Sequence, residues 1–308
     1  MSSRPVLVTG ANGFVGKALC AALAQRGVPT IALDLCFDAD WAIPGAAREI
    51  CDLSEARAVA AAFGVHAPAA VVHGGGISGP MLARDQPHLI HAVNTGGTLN
   101  VLEAARLHAV RRVVILSSIA VYGDHGNEAP VAEDAPLLAL DPYGASKVAA
   151  ERTAQSYRAS FGMEVVALRI ASVYGPGRRA PCLVRALVAS ATSGEAACIS
   201  THIASKRQLL YIGDCVEAIC DALHAPKLPQ FAYNVASEDH LSEATLASIV
   251  RRLLGQVRFT GMEAPRYFDG HIGPLQTIAA QRDFEWKPRT PLVDGITRMG
   301  QLLHAGIG

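Results

Sequence analysis

Val6-Leu7-Val8-Thr9-Gly10-Ala11-Asn12-Gly13-Phe14-Val15-Gly16 is the stretch that decides the fold. A short apolar run, read as a buried strand, breaks at a glycine and passes at once into a helical pattern over residues 17–26. The G-x-x-G-x-x-G spacing at a strand-to-helix junction is the context a dinucleotide requires. Gly10 allows the tight turn, Gly13 lets a pyrophosphate approach the backbone, and Gly16 lets helix and strand pack closely. The helix start adds free N–H groups and a partial positive charge, with Asn12, Phe14 and Val15 as flanking cofactor residues.

Outward from this turn, short apolar runs alternate with helix-length segments. Residues 30–33, 70–72 and 113–116 read as strands, and 54–63 and 87–108 as helices. Strands apolar on both faces and separated by helices predict a parallel sheet covered on both sides, the Rossmann-type doubly wound α/β fold. A helix over 142–162 and a strand over 164–169 extend that sheet, giving a dinucleotide-binding domain over residues 1–170. After Tyr174-Gly175-Pro176-Gly177 the alternation weakens into helices at 183–193, 242–254 and 291–303 with short strands. This predicts a smaller mixed α/β C-terminal substrate lobe over 171–308. Residues 207–224 are expected to return to the main sheet, with Asp214 capping their helix.

The composition is that of a globular protein: 308 residues, 50% of them apolar, can bury a large core. Lys plus Arg and Asp plus Glu both number 27, and no basic stretch is present, so nucleic acid is excluded as a partner. Met1-Ser2-Ser3-Arg4-Pro5 runs straight into the first strand and no apolar run reaches membrane-spanning length, so no membrane association and a cytoplasmic location are expected. The seven cysteines are scattered and form no C-x-x-C pair, which gives neither a disulfide framework nor a zinc site. His88 and His91 share a helix face but no second ligand cluster accompanies them, so no metal is expected.

Asp34 ends the second strand about 20 residues beyond the glycine turn, where a carboxylate accepts hydrogen bonds from an adenosine ribose. A 2′-phosphate would be repelled there, and Leu35-Cys36-Phe37-Asp38 offers no arginine to welcome one, so the cofactor is NAD rather than NADP. Asp52 and Leu53 after the third strand are candidates for the adenine edge. In the loop from His73 to Met81, Gly74 and Gly75 are expected near the NAD phosphates or ribose, and Ser78 near a substrate hydroxyl.

Tyr143 and Lys147 stand one helical turn apart in Asp141-Pro142-Tyr143-Gly144-Ala145-Ser146-Lys147, with Asp141 as N-cap and Pro142 at the first helical position. A tyrosine hydroxyl is a poor base at neutral pH, and an ammonium on the same helix face favours its phenolate. Ser117 and Ser118 follow the fifth strand, at the carboxyl end of the sheet where ligands of open α/β folds bind. A serine there can donate to a substrate oxygen while Tyr143 moves the proton and Lys147 holds the cofactor ribose.

With these residues in place the chain resembles the extended short-chain dehydrogenase/reductases, the group of NAD-dependent sugar epimerases and dehydratases. The matching segments occur in family order over essentially the whole chain: TGANGFVG, SSIAVYG from Ser117, YGASK, LRIASVYGPG from Leu168, RQLLYIGD from Arg207 and FEWKPRTPLVDGI. The resemblance implies Ser118, Tyr143 and Lys147 as the catalytic set, Asn94 and Ile170 as cofactor-site residues, and a homodimer built on helices from 87–108 and 146–161. Dehydratases of the group carry an Asp-Glu pair after the catalytic hydroxyl. This chain has Ile119 and Ala120, neither of which exchanges a proton, so dehydration is not expected. Arg207 matches a diphosphate-clamping position, and Arg178 or Arg179 can assist. Ser172, by contrast, stands where epimerases commonly have asparagine. The resemblance implies an epimerase of a nucleotide-linked sugar, a carbohydrate substrate and bound NAD. A dehydrogenase of a non-nucleotide sugar, sugar acid or hydroxy acid, and a non-catalytic NAD-binding regulatory protein, are the alternatives the sequence leaves open.

Overall fold

The computed structural model describes residues 4–79, 82–83, 85–180, 182–194, 196–200, 206–262 and 272–305. Met1, Ser2, Ser3, Pro80, Met81 and Pro181 of the segments quoted above lie outside these. The first half of the chain runs β1 (Val6–Thr9), α1 (Phe14–Gln25), β2 (Thr30–Asp34), β3 (Ala46–Ile50), α2 (Ala56–His66), β4 (Ala70–His73), α3 (Pro87–His91), α4 (Gly97–Leu107), β5 (Arg112–Ser118), α5 (Pro142–Phe161) and β6 (Glu164–Ile170). The second half continues β7 (Ser172–Tyr174), α6 (Leu183–Ser193), β8 (Ala197–Ser200), β9 (Lys206–Tyr211), α7 (Ile212–His224), β10 (Ala232–Val235), β11 (His240–Ser242), α8 (Glu243–Leu254), β12 (Phe259–Met262), α9 (Ile278–Phe284) and α10 (Leu292–His304).

Seven strands form one sheet in the order β3-β2-β1-β4-β5-β6-β10, and every pairing in it is parallel. Side chains alternate between its faces. Leu7, Ile31, Leu33, Val71, Val113, Ile115 and Val165 pack with Val59, Phe63, Val101 and Leu102 of α2 and α4. Val8, Ala32, Val72, Val114, Val166 and Leu168 pack with Leu19 and Leu23 of α1 and Cys215 and Ile219 of α7. Both faces are covered, which is why these strands read as apolar throughout. The chain reverses its winding direction between β1 and β4, so a crevice opens beyond their carboxyl ends.

The C-terminal part adds a three-stranded sheet, β11-β9-β7, and a parallel pair, β12-β8. Helices α6, α8 and α10 enclose a separate core around Leu187, Val188, Leu246, Val250, Ile296 and Met299. Three local features differ from the sequence expectation. Strand β9 pairs with β7 and β11 rather than joining the main sheet, whose seventh strand is β10; only α7 returns to it. Asp214 lies inside the first turn of α7 rather than at its cap. Its carboxylate accepts from Arg289 N at 3.1 Å and Thr290 N at 3.0 Å, satisfying buried backbone groups of the C-terminal segment. The expected helix over 87–108 is interrupted by a π-helical turn at Ala92–Gly96, which carries Asn94. Among the described residues, no helix is long and apolar enough to cross a membrane.

Candidate active site

The glycine turn is built for contact without side chains. Gly10 has φ +70°, and a Cβ on it would stand 2.7 Å from Gly74 O and Gly75 N; one on Gly16 would stand 2.0 Å from Gly10 O. The turn and the loop after β4 are thus pressed together at the switch point. Helix α1 begins without a side-chain cap and without an acidic residue in its first turn, so the N–H groups of that turn are not taken up by a capping side chain. That arrangement fits a pyrophosphate.

Gly75 is tight for a second reason. A Cβ there would meet Leu53 Cδ1 at 2.4 Å, and Gly75 N donates to Thr9 Oγ1 at 3.0 Å. A buried polar chain follows. Thr98 Oγ1 donates to Asn94 O at 2.5 Å and so accepts from His73 Nε2 at 3.0 Å, which leaves His73 Nδ1 to accept from Thr9 Oγ1 at 2.8 Å. Burial, helped by the Lys147 charge, pushes the His73 imidazole down to about 3. Asn94 continues the chain: its side chain accepts from Ile77 N at 2.8 Å and donates to Ser146 Oγ at 2.9 Å. Ser146 in turn donates to Tyr143 O at 2.7 Å. Asn94 therefore joins the loop after β4 to the helix carrying Tyr143 and Lys147.

Asp141 caps α5 as the sequence predicts, accepting from Tyr143 N at 3.0 Å and Gly144 N at 3.1 Å. Ser118, Ser78 and the Gly79 backbone are the polar neighbours of the Tyr143 hydroxyl that favour its ionised form. Ser118 Oγ accepts from Ala120 N at 3.2 Å, so its own proton is free for the tyrosine oxygen or for a substrate. Burial raises the Tyr143 pKa above its ordinary value, and these neighbours work against it. Lys147 Nζ lies 6.0 Å from the Tyr143 ring centroid and donates to Leu116 O at 3.0 Å. Burial brings its ammonium down to about 8, with Glu151 pulling the other way. The lysine alone does not offset this burial, which qualifies the simple reading of the i, i+4 pair.

Other sequence candidates have partners of their own. Ser117 Oγ donates to Glu151 Oε1 at 2.6 Å, so its hydroxyl is engaged behind the site. Asp52 Oδ1 accepts from Ser54 N at 2.8 Å and Ser54 Oγ at 2.7 Å, and Leu53 is buried against Gly75 and Gly97. Asp34 Oδ2 accepts from Asn12 N at 2.8 Å, tying the end of β2 to the glycine turn. Ile170 is buried at the end of β6, whereas Ser172 is exposed at the start of β7.

The arginines after Gly177 reach the region of the glycine turn. Arg179 pairs with Asp38 at 3.0 Å, and Asp38 also binds Lys17 and Asn12. The hydrogen bonds from Lys17, Arg179 and Asn12 hold the Asp38 carboxyl down to about 2. Arg178 donates to Val173 O at 2.6 Å and lies 5.8 Å from the Phe14 ring centroid, with Nε buried and unpartnered. Arg207 Nε donates to Glu243 Oε1 at 2.9 Å. Sequence reasoning missed Glu151, Arg169, His73, Thr98 and Asp38. Only Glu151 carried a usable signal, a carboxylate one turn beyond Lys147 on the same face. Among the described residues, no group of three or more His, Cys, Asp or Glu side chains is placed to hold a metal ion.

Comparison with known proteins gives a consistent result. The family described as NAD dependent epimerase/dehydratase matches residues 6–236. An uncharacterised UDP-glucose epimerase of Bacillus subtilis (strain 168), YtcB, is 29% identical over 216 residues, covering 68% of this chain and 66% of its own length. The solved structure of MoeE5 in complex with UDP-glucose and NAD superposes with a TM-score of 0.88 at 26% identity, covering 99% of this chain and 100% of MoeE5. That of the Thermus thermophilus UDP-glucose 4-epimerase in complex with NAD gives 0.86 at 27% identity, covering 96% and 98%.

Proposed function

The chain belongs to the NAD dependent epimerase/dehydratase family, and from that membership we propose that it is an NAD-dependent epimerase of a nucleotide-linked sugar. The observation that carries the reading is the buried Tyr143, with Ser118 and Ser78 as polar neighbours of its hydroxyl, together with a glycine cradle that fits a dinucleotide. The relatives named above, with UDP-glucose in their names or bound beside NAD, support the substrate class.

Gly10, Asn12, Gly13, Phe14 and Val15 hold the NAD pyrophosphate and Asp34 the adenosine ribose. Leu53 and the backbone of Asp52 flank the adenine. Gly74, Gly75, Asn94, Ser117, Ile170 and Lys147 line the nicotinamide half. The chemistry NAD supplies there is reversible acceptance of a hydride. Ser118 donates to the sugar oxygen, and Tyr143 takes the carbinol proton as the C–H pair leaves that carbon. Tyr143 returns the proton after the oxidised sugar has presented its other face, so the carbon is inverted with no net redox change. Ile119 and Ala120 offer no group to eliminate water. Arg207, steadied by Glu243, takes the diphosphate, with Ser172 and Arg178 as further substrate contacts.

The protein acts as a homodimer in the cytoplasm. Leu89, Leu99 and Leu107 on α3 and α4, and Phe161 at the end of α5, are exposed apolar side chains on the helices expected to pair. Incubation with UDP-glucose without added coenzyme tests the function. Conversion to the C4 epimer is expected, whereas NADH accumulating in step with substrate consumption would show a dehydrogenase instead.

A further inference from the structure

Tyr143, Lys147 and Glu151 follow one another at single-turn intervals along α5 and so share a face. Glu151 is 1% exposed and its carboxylate is fixed by two residues. Ser117 Oγ donates to its Oε1 at 2.6 Å, while Arg169 Nε and Nη2 donate at 3.0 Å and 2.7 Å. Arg169 is held in turn by Tyr122 OH at 2.9 Å and Glu133 O at 2.7 Å. A buried ion pair of this kind is costly to assemble and is weak evidence for stability alone, so its position against the catalytic helix asks for another explanation.

We infer that Glu151 is a positioning residue that supplies the negative charge keeping Lys147 cationic behind Tyr143. The inference rests on the Tyr143 chemistry proposed above. Lys147 hangs from Leu116 O, a neutral acceptor, and makes no ion pair among the described residues. The titratable and charged groups around it are Tyr143 and Glu151 on its own helix, His73 on β4, which burial keeps neutral, and Arg169 on β6, whose charge faces Glu151. Glu151 is therefore the one neighbour of these that favours the ammonium, against the burial that opposes it. Because Ser117 and Arg169 fix the carboxylate from behind, it acts through space on Lys147 rather than bonding to it.

The test is an NMR titration of the lysine ε-carbons in the NAD-loaded protein, with the Lys147→Arg variant identifying the Lys147 signal. In Glu151→Gln, which keeps the hydrogen-bonding shape, the Lys147 midpoint should fall by roughly one pH unit, and Glu151→Asp should restore most of it. Should the lone Arg169 charge prevent Glu151→Gln from folding, the double variant Glu151→Gln/Arg169→Gln removes both charges and should show a smaller fall in the same direction, because losing the Arg169 charge by itself favours the ammonium. An unmoved midpoint in whichever variant folds would overturn the inference. The readout needs no substrate, so it is separate from the proposed reaction, which stands or falls on turnover by Tyr143→Phe.

Discussion

Lys147 Nζ donates to Leu116 O at 3.0 Å, and the next residue of the same strand, Ser117, donates through Oγ to Glu151 at 2.6 Å. Consecutive residues of β5 thus grip consecutive turns of α5. Tyr143 and Lys147, the proposed catalytic pair, are therefore placed by strand-to-helix packing, with Asp141 fixing where the helix begins. Rigid elements hold a proton-transfer geometry better than a loop does.

The alkaline limit of activity follows from the lysine. Burial lowers the Lys147 ammonium to about 8, so it is charged below that pH and neutral above it. Turnover should fall as pH rises through about 8, because the positive charge behind Tyr143 is lost. A pH–rate profile that stays flat up to pH ~10, the ordinary lysine range, would show that this charge is not needed.

His73 gives a stability signature of the opposite limb. Its folded value of about 3 lies below the ordinary 6.5, so between these the unfolded chain binds the extra proton. The contribution from neutral His73 is full above 6.5 and is lost as pH falls toward 3. Denaturant unfolding across that range should show the gap between wild type and His73→Asn narrowing with acid; a constant gap would mean that His73 is not buried neutral.

The glycine turn should tolerate no side chain at Gly10. A Cβ would stand 2.7 Å from two backbone atoms of the facing loop, at φ +70°. Gly10→Ala should cost about 1–3 kcal/mol and weaken NAD binding. Thermal melts and NAD titration read both effects, and wild-type values in each would contradict the tight contact.

The Arg179–Asp38 pair joins the segment after β7 to the cofactor side at 3.0 Å. Arg179 is well exposed, so the bond is weak, and Arg179→Ala should speed NAD release roughly two- to five-fold at low salt. High salt should erase the difference, because exposed charges are screened. Stopped-flow release rates that are equal at low salt would dismiss the pair as a cofactor clasp.

Much of this was legible in the sequence because it is local. Gly10 and Gly16, Asp141 before Pro142, and Tyr143 one turn from Lys147 encode a turn, a cap and a shared face within a few residues. What escaped depends on contacts between distant segments. Whether Arg207–Tyr211 pairs with β6 or β7 is not written in its own apolar pattern, since both sites offer the same backbone partners. Asp214 looks like a cap until Arg289 and Thr290 arrive from the far end of the chain. The Ser117–Glu151 and Arg179–Asp38 contacts likewise join residues far apart in the chain, and nothing in the sequence around either partner announces the other.

The central claim is that Tyr143 moves the substrate proton. The most direct measurement is steady-state turnover of UDP-glucose by Tyr143→Phe, with bound NAD quantified in the same preparation. Removing one hydroxyl from a buried ring should lower the rate by roughly 10²–10⁴-fold while leaving NAD content near wild type. A variant that keeps wild-type turnover would show that another group carries the proton.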